Sequence, residues 1–304
     1  MDNKKKSVVI LLGPTGIGKT QTGIAIAKQF GCAIISADSR QIYKEIPIGT
    51  AAPTKEEQQI IPHYLVGSCS IFDYYNAYQF EQDALAITNR LFDKNDLVLM
   101  VGGSMMYIDA FCNGIDDLPT VDPIIRENLM EKYKYEGLES IRRQLKMLDP
   151  VFYGQIDLKN PKRIIHAVEI CLMTGKPYSS LRTKPKKERN FNIIKIGLEI
   201  ERKILYNRIN QRVLRMMELG LEDEAHSFFE HKHLNALNTV GYKELFDYFE
   251  GKHNKDKAIE LIQRNSRHYA KKQLSWFKRD KEIKWFHPDE VGEIIALLLN
   301  KEFL

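Results

Sequence analysis

Short apolar runs alternate with helical patterns over the first 110 residues of the chain. The apolar runs are 8–12, 33–38 and 97–101, and residues 22–30 and 75–92 between them show helical spacing. Because strands that alternate with helices pair side by side, this pattern predicts an α/β fold with a parallel sheet flanked by helices. The carboxyl ends of parallel strands share one edge, where such sheets bind their ligands.

The pattern changes at residue 118, where charged segments with helical spacing replace the apolar runs. Helices are predicted at 122–135, 137–148 and 161–172. A strand-like run returns only at 192–200, so we expect an α-helical insertion domain at 118–187 within a core made of 1–117 and 188–304. After the returning strand the spacing predicts only helices, at 201–219, 221–231, 238–250, 255–279 and 288–301.

The first apolar run leads directly into a G-x-x-x-x-G-K-T motif. Its residues are Gly13, Pro14, Thr15, Gly16, Ile17, Gly18, Lys19 and Thr20. A strand that turns through glycines into a helix N-terminus presents backbone N–H groups and a positive dipole end to a phosphate. In such a loop Lys19 reaches the distal phosphates and the Thr20 hydroxyl ligates Mg²⁺. The motif predicts a P-loop NTPase-like core, but it reads no base, so a diphosphate ester fits it as well as a nucleotide does.

Composition places the chain among ordinary globular proteins, with 43% apolar and 28% charged residues. The N-terminus is polar and basic without an apolar signal core, and no apolar run approaches a membrane span. The four cysteines form no C-x-x-C pair, which disfavours a disulfide framework or a structural zinc site. We expect a cytoplasmic monomer that does not contact a membrane.

Charge is divided unevenly along the chain. Residues 1–120 carry a net charge of −3, whereas 121–304 carry +8. An enzyme that grips a polyanion outside its catalytic core needs such a division, although a spread-out surplus is also common on a solvated surface.

Two polar residues end the second and third apolar runs. Asp38 could act as a general base, ligate Mg²⁺ or cap the following turn. The third run ends in Gly102-Gly103-Ser104 rather than in an acidic residue, which leaves Asp38 as the carboxylate at this edge. The Ser104 hydroxyl could orient a substrate oxygen or amine.

Basic stripes mark two of the C-terminal helices. Arg264, Arg267 and Lys271 share one helical face with aromatic residues interleaved, and Arg208, Arg212 and Arg215 share another. Cations beside stacking groups suit RNA, but the alternative is an amphipathic helix that buries its apolar residues and leaves its cations in water.

Ordered motifs across residues 7–279 give the chain a family resemblance. They are GPT…GKT at 13–20, DSRQIY at 38–43, IGTA at 48–51, GGS at 102–104 with Tyr107, RIIHAVE at 163–169, TGKP at 174–177, VGYKE at 240–244, and YAKKQ…WF at 269–277. With these motifs the chain resembles the bacterial tRNA dimethylallyltransferases, also called tRNA isopentenyltransferases. The resemblance implies transfer of a dimethylallyl group from its diphosphate to the exocyclic amine of the adenosine 3′ to the anticodon, in tRNAs that read codons starting with U.

The resemblance also implies roles for individual residues. Asp38 and Ser104 would serve catalysis, Arg208 or Arg212 would close over the diphosphate held by residues 13–20, and Mg²⁺ would bind at Thr20. The tRNA anticodon stem-loop, gripped by the insertion, would contact Asp38, Ser39, Arg40, Gln41, Ser104, Arg126, Lys162, Arg163, Ile164, Ile165, His166, Gly241, Tyr242, Lys243, Arg264 and Lys271.

The chain departs from the family pattern at four places. Ser104 replaces a threonine but keeps the hydroxyl, Gly16-Ile17 replaces Ala-Ser, and His166 and Lys272 stand where arginines are usual. The last two changes bear on RNA contacts and not on the chemistry. A small-molecule or nucleoside kinase explains residues 8–30 equally well but not the later motifs, and Asp38 disfavours a non-catalytic RNA-binding P-loop protein.

Overall fold

A six-stranded parallel sheet lies at the centre of the protein's larger unit. The computed structural model describes residues 6–119, 121–182 and 187–300. The strands are β1 (Ser7–Leu12), β2 (Ile34–Ala37), β3 (His63–Tyr64), β4 (Leu97–Gly102), β5 (Asn192–Leu198) and β6 (Lys284–Phe286). Their order is β3-β2-β4-β1-β5-β6, with every neighbouring pair parallel. This confirms the predicted α/β fold, and the two short edge strands β3 and β6 are additions that the sequence pattern did not predict.

The central strand β1 is buried on both sides, which explains its uninterrupted apolar sequence. Val8, Ile10 and Leu12 enter one hydrophobic cluster, and Val9 and Leu11 enter another. Because successive strand residues point to opposite faces, the two clusters are the two helix-covered faces of the sheet.

Helices flank the sheet in this unit. They are α1 (Lys19–Phe30), α2 (Pro47–Thr50), α3 (Lys55–Ile60), α4 (Ala77–Leu91) and α5 (Met105–Asn113) before the insertion, and α10 (Arg202–Glu218), α11 (Leu221–Ser227), α12 (Tyr242–Phe249), α13 (Lys255–Phe277) and α14 (Val291–Leu299) after it. Among the described residues, no helix is both long and apolar enough to span a bilayer.

Residues 113–187 form a second compact unit, and the first unit comprises 1–112 and 188–304. The helices of this second unit are α6 (Pro123–Leu148), α7 (Pro150–Gln155), α8 (Pro161–Thr174) and α9 (Tyr178–Leu181). Both predicted helices, 122–135 and 137–148, are present and follow one another within α6, which is interrupted at Gly137, whose φ of 77° is outside the helical region. Leu129, Ile141 and Ile164 belong to the core between α6 and α8.

Three loops leave the sheet at the carboxyl ends of neighbouring strands. Residues 13–18 follow β1, Asp38 follows β2, and Ser104 follows β4. Since β4 lies between β2 and β1, these three loops meet at one edge of the sheet.

Candidate active site

The loop after β1 adopts an open turn that only glycine accommodates readily. Gly16 and Gly18 have φ values of 78° and 109°, in the left-handed region. A Cβ atom at Gly16 would lie 2.8 Å from Cγ1 of Ile209 in α10. The Ile17 side chain is fully buried, so that residue can offer only its backbone to a ligand. Position 17 thus lacks the hydroxyl of the usual serine, and the buried Ile17 side chain anchors the loop in the hydrophobic core instead.

Lys19, the first residue of α1, folds back over the loop. Its Nζ donates to the carbonyl oxygens of Gly13, at 3.0 Å, and Pro14, at 2.8 Å. Burial lowers the pKa of Lys19 from 10.5 to about 7, while the charge of Asp38 raises it and that of Arg212 lowers it. An anion bound in the loop would restore the charged form of this amine.

Two arginines of α10 reach the same loop. Nη1 of Arg208 donates to the Ile17 carbonyl at 3.3 Å, and Nη1 of Arg212 donates to Oγ1 of Thr15 at 3.0 Å. Burial lowers the pKa of Arg212, and the carboxylate of Asp38 opposes that shift. Both residues predicted from the resemblance thus lie beside the loop.

Asp38 and Ser104 are linked through the turn after β2. Oδ1 of Asp38 accepts hydrogen bonds from the backbone N–H groups of Arg40, at 2.9 Å, and Gln41, at 3.4 Å. Oγ of Ser104 accepts from the backbone N–H of Ser39 at 2.7 Å. One carboxylate oxygen of Asp38 therefore caps the turn, which was one of the three roles that the sequence left open for this residue. No described residue hydrogen-bonds to the other carboxylate oxygen of Asp38.

The side chains of Arg40 and Gln41 contact other parts of the protein. Nη1 of Arg40 donates to the carbonyls of Asn235 and Ala236, whereas Nε2 of Gln41 donates to those of Thr50 and Ala51. The side-chain N–H groups of Gln41 are thus already bonded to carbonyls of the protein.

Tyr269 of α13 completes the group, although sequence reasoning assigned it no role. Burial raises the pKa of Tyr269 to about 12, with the charge of Asp38 acting in the same direction and a hydrogen bond to Ser104 opposing it. In the sequence Tyr269 stands out only as part of the YAKKQ motif. It is 165 positions from Ser104, so no local pattern indicates that the two residues lie together.

A cavity of about 580 Å³ is lined by several of these groups. Its polar wall includes residues from the loops after β1 and β2 and from α10, α12 and α13, and its apolar wall comes from α10, α11 and α13. The polar residues include Thr15, Asp38, Ser39, Arg40, Arg212, Lys243, Glu244, Asn265, Tyr269 and Lys272. The apolar residues include Ile209, Val213, Met216, Leu221 and Ile262.

The predicted tRNA contacts in the first unit divide by exposure. Lys243, Arg264 and Lys271 are exposed, and Gly241 lines the cavity. The Tyr242 side chain is fully buried and its hydroxyl donates to Glu224, so a side-chain contact with RNA is excluded there. The reason is that the apolar face of α12 packs into the core.

The predicted contacts in the second unit divide in the same way. Lys162 and Arg163 are exposed on the first turn of α8, whereas the Ile164 and Ile165 side chains are buried in the core. The two isoleucines can therefore offer only their backbone to RNA. The predicted tRNA contacts at 162–165 thus divide into exposed cations and buried core residues.

Arg126 and His166 both contact the buried Glu169. Arg126 donates to Oε1 at 2.7 Å and to Oε2 at 2.8 Å, and Nδ1 of His166 lies 3.5 Å from Oε2. Burial alone would raise the pKa of Glu169, but the hydrogen bonds and charges of Arg126 and His166 lower it to about 2. The position predicted for an RNA contact thus also joins α6 to α8.

Among the described residues, no group of three or more His, Cys, Asp or Glu side chains is placed to hold a metal ion.

The sequence matches known proteins over nearly its whole length. The model of the IPP transferase family matches residues 41–280. The chain is 57% identical to tRNA dimethylallyltransferase 2 of Parabacteroides distasonis, covering 96% of this chain and 98% of that protein. It is 55% identical to tRNA dimethylallyltransferase 1 of Bacteroides fragilis, covering 96% and 97%.

Solved structures agree with this result. The full-length tRNA isopentenylpyrophosphate transferase of Bacillus halodurans matches with a TM-score of 0.72 and 32% identity, covering 98% of this chain and 97% of that one. A eukaryotic dimethylallyltransferase acting on tRNA has the same fold, with a TM-score of 0.76 and 22% identity over 98% of this chain and 79% of that one. From its sequence and its fold, the chain belongs to the IPP transferase family.

Proposed function

We propose that the protein transfers the dimethylallyl group of dimethylallyl diphosphate to N6 of the adenosine 3′ to the anticodon, in tRNAs that read codons starting with U. The observation that carries the proposal is one cavity that is lined by Thr15 of the phosphate loop, by Asp38 and by residues of the basic helix α13. The names of the relatives support the donor and the acceptor, and they do not favour the kinase alternative.

The donor half of the site neutralises the leaving group. The backbone N–H groups of 16–20, together with Lys19, would bind the diphosphate, and Arg208 and Arg212 would cover it. As the allylic C–O bond breaks, negative charge grows on the departing pyrophosphate, and these cations stabilise it.

Mg²⁺ is the proposed cofactor, and the donor set suits it. A hydroxyl at Thr20 and diphosphate oxygens form the oxygen-rich, protein-poor coordination that Mg²⁺ prefers. Bound there, Mg²⁺ would supply additional positive charge for the leaving group.

The acceptor half of the site activates a weak nucleophile. The adenine amine forms a bond to C1 of the dimethylallyl group while the C–O bond breaks, and the amine then loses a proton. Asp38 would hydrogen-bond that amine and accept the proton on the oxygen not used for capping. Ser104, whose Oγ accepts a hydrogen bond from the backbone N–H of Ser39, would orient the base.

The tRNA must present its adenosine to a cavity within the protein. Because the base is stacked in the anticodon loop, it has to be flipped out to enter. The exposed cations Lys162, Arg163, Lys243, Arg264 and Lys271 would bind the surrounding phosphates, and the insertion would grip the stem-loop.

The test is a labelling experiment with two donors. Purified protein is incubated with bulk tRNA, Mg²⁺ and either radiolabelled dimethylallyl diphosphate or γ-labelled ATP. Label from the prenyl donor in the tRNA fraction, located to N6 of the adenosine by nuclease digestion, is the expected result. Label transferred from ATP instead would establish a kinase and overturn the proposal.

A further inference from the structure

A buried amide in α13 connects the phosphate loop to the end of β4. Oε1 of Gln273 accepts a hydrogen bond from the backbone N–H of Thr15 at 2.9 Å, and its Nε2 donates to the Gly103 carbonyl at 2.8 Å. Gln273 is only 2% exposed. Each half of this amide thus has a backbone partner, and the two partners belong to different loops of the site.

The packing around this amide leaves no spare room. A Cβ atom at Gly103 would lie 2.4 Å from Nε2 of Gln273, 3.1 Å from the Gly13 carbonyl and 3.5 Å from Nζ of Lys19. The loop, the end of β4 and α13 are therefore in contact at one point, beside the amine that would bind the diphosphate.

The loop needs an external support because its own sequence is permissive. Gly16 and Gly18 follow Thr15, and glycine gives a chain many alternative conformations. Thr15 is held at two places, by Gln273 through its N–H and by Arg212 through its hydroxyl. Fixing this residue limits the conformations open to the N–H groups of 16–20.

We infer that Gln273 is a positioning residue for the diphosphate donor. It holds the main chain of Thr15 so that the following N–H groups face the diphosphate, without touching the donor itself. This inference rests on the proposed function, since it assigns the loop to the diphosphate. Hydrogen-bond donors that are already in place need no rearrangement as charge develops on the pyrophosphate. Loss of the two hydrogen bonds of Gln273 therefore weakens pyrophosphate binding and slows transfer.

Two variants of Gln273 and one matched control test the inference. Gln273→Met keeps the size of the side chain and removes both hydrogen bonds, while Gln273→Glu keeps the acceptor for Thr15 and faces the Gly103 carbonyl with a second acceptor. The control, Gln263→Met, also removes a hydrogen bond of α13, from Nε2 of Gln263 to the Asn210 carbonyl at 3.3 Å.

The measurements are the affinity for inorganic pyrophosphate with Mg²⁺, by calorimetry, and the affinity for tRNA in the absence of donor. Both Gln273 variants should lose pyrophosphate affinity by ~10-fold while their tRNA affinity stays within ~3-fold of wild type. Gln263→Met should leave both affinities within ~3-fold. Unchanged pyrophosphate binding in both Gln273 variants would overturn the inference, as would an equal loss of tRNA affinity or an equal loss in the control.

Failure of the proposed function gives a different result. If wild-type protein transfers the prenyl label to tRNA but the Gln273 variants bind pyrophosphate normally, the function stands and the positioning role is wrong. If wild-type protein transfers no prenyl label at all, the function itself is wrong.

Discussion

At the scale of single residues, the proposed chemistry depends on the carboxylate of Asp38 as its base. One of its oxygens caps the turn at Arg40, so replacing the side chain removes both a base and a cap. Asp38→Asn keeps an oxygen for the cap and removes the base, which separates the two roles.

We expect Asp38→Ala and Asp38→Asn each to reduce single-turnover prenyl transfer by ~10²-fold or more, because both lack the proton acceptor. The tRNA affinity should change by only a few-fold. Rapid-quench measurements with saturating tRNA provide the rate. Near-normal transfer by Asp38→Asn would show that Asp38 serves only as a cap.

Lys19 is the residue whose charge we expect the bound donor to change. In the free protein its amine contacts the Gly13 and Pro14 carbonyls, and burial lowers its pKa to about 7. Binding of the diphosphate should raise that pKa and hold the amine charged.

Lys19→Ala should therefore raise the KM for the prenyl donor or lower turnover, and ATP should remain at most a weak competitor for wild-type protein. Lys28→Ala, which removes an exposed cation from the last turn of the same helix, is the control and should behave as wild type. Steady-state kinetics with varied donor give both values. ATP hydrolysis in proportion to product would contradict the assignment of the loop to a prenyl diphosphate.

At the scale of elements, the pair of helices α6 and α8 depends on one buried carboxylate. Glu169 is fully buried, and Arg126, whose side chain is 50% exposed, donates to both of its oxygens. Removing Arg126 leaves Nδ1 of His166, 3.5 Å from Oε2, beside this carboxylate.

Arg126→Ala should destabilise the second unit by ~2 kcal/mol, less than for a fully enclosed pair because Arg126 is half exposed. Arg143→Ala, an exposed cation of the same helix, is the control and should change stability little. Thermal or urea unfolding supplies the measurement. Equal stability of wild type and Arg126→Ala would show that the ion pair is not structural.

The same ion pair predicts a pH dependence. The pKa of Glu169 is about 2 in the folded protein, below its ordinary 4.5. The pair therefore stabilises the fold fully above pH 4.5, and this contribution is lost as the pH falls toward 2. The stability difference between wild type and Arg126→Ala should shrink over that interval, and a difference that stays constant would contradict the assignment.

The elements also show how far the sequence alone could be read. The apolar run 8–12 and the glycine motif sufficed to predict β1, its loop and α1. Residues that are close together in the sequence determine all three elements. The edge strands β3 and β6 have two and three residues, too few to show a period. The contact between Gln273 and Thr15 spans 258 positions, and no local pattern reports such a distance.

At the scale of the whole molecule, the charge is divided unevenly between the two parts of the chain. The residues before 121 carry a net charge of −3 and contain the loop and Asp38, whereas the remainder carries +8. The exposed cations Arg163 and Lys271 belong to the basic part, in the second and the first unit respectively.

Alanine at Arg163 or Lys271 should weaken binding to all cognate tRNAs about equally and reduce the slope of log K against log salt by ~1. Transfer at saturating tRNA should stay near wild type, because such contacts bind the ground state and the transition state alike. Lys28→Ala, which removes the same charge from the acidic part, should leave the slope unchanged. An unchanged slope for both Arg163→Ala and Lys271→Ala would place the RNA on another surface.

The two ends of the second unit lie next to each other in space. The backbone N–H of Lys187 donates to the Asn113 carbonyl at 2.9 Å, and Arg189 donates to the Ala110 and Phe111 carbonyls at the end of α5. A segment that leaves and re-enters at one point can be exchanged without rebuilding the sheet. The unit can therefore be exchanged as one piece, and under the proposed function we expect a graft of a relative's segment between positions 113 and 187 to change RNA affinity while residues 13–20, Asp38 and Ser104 stay the same.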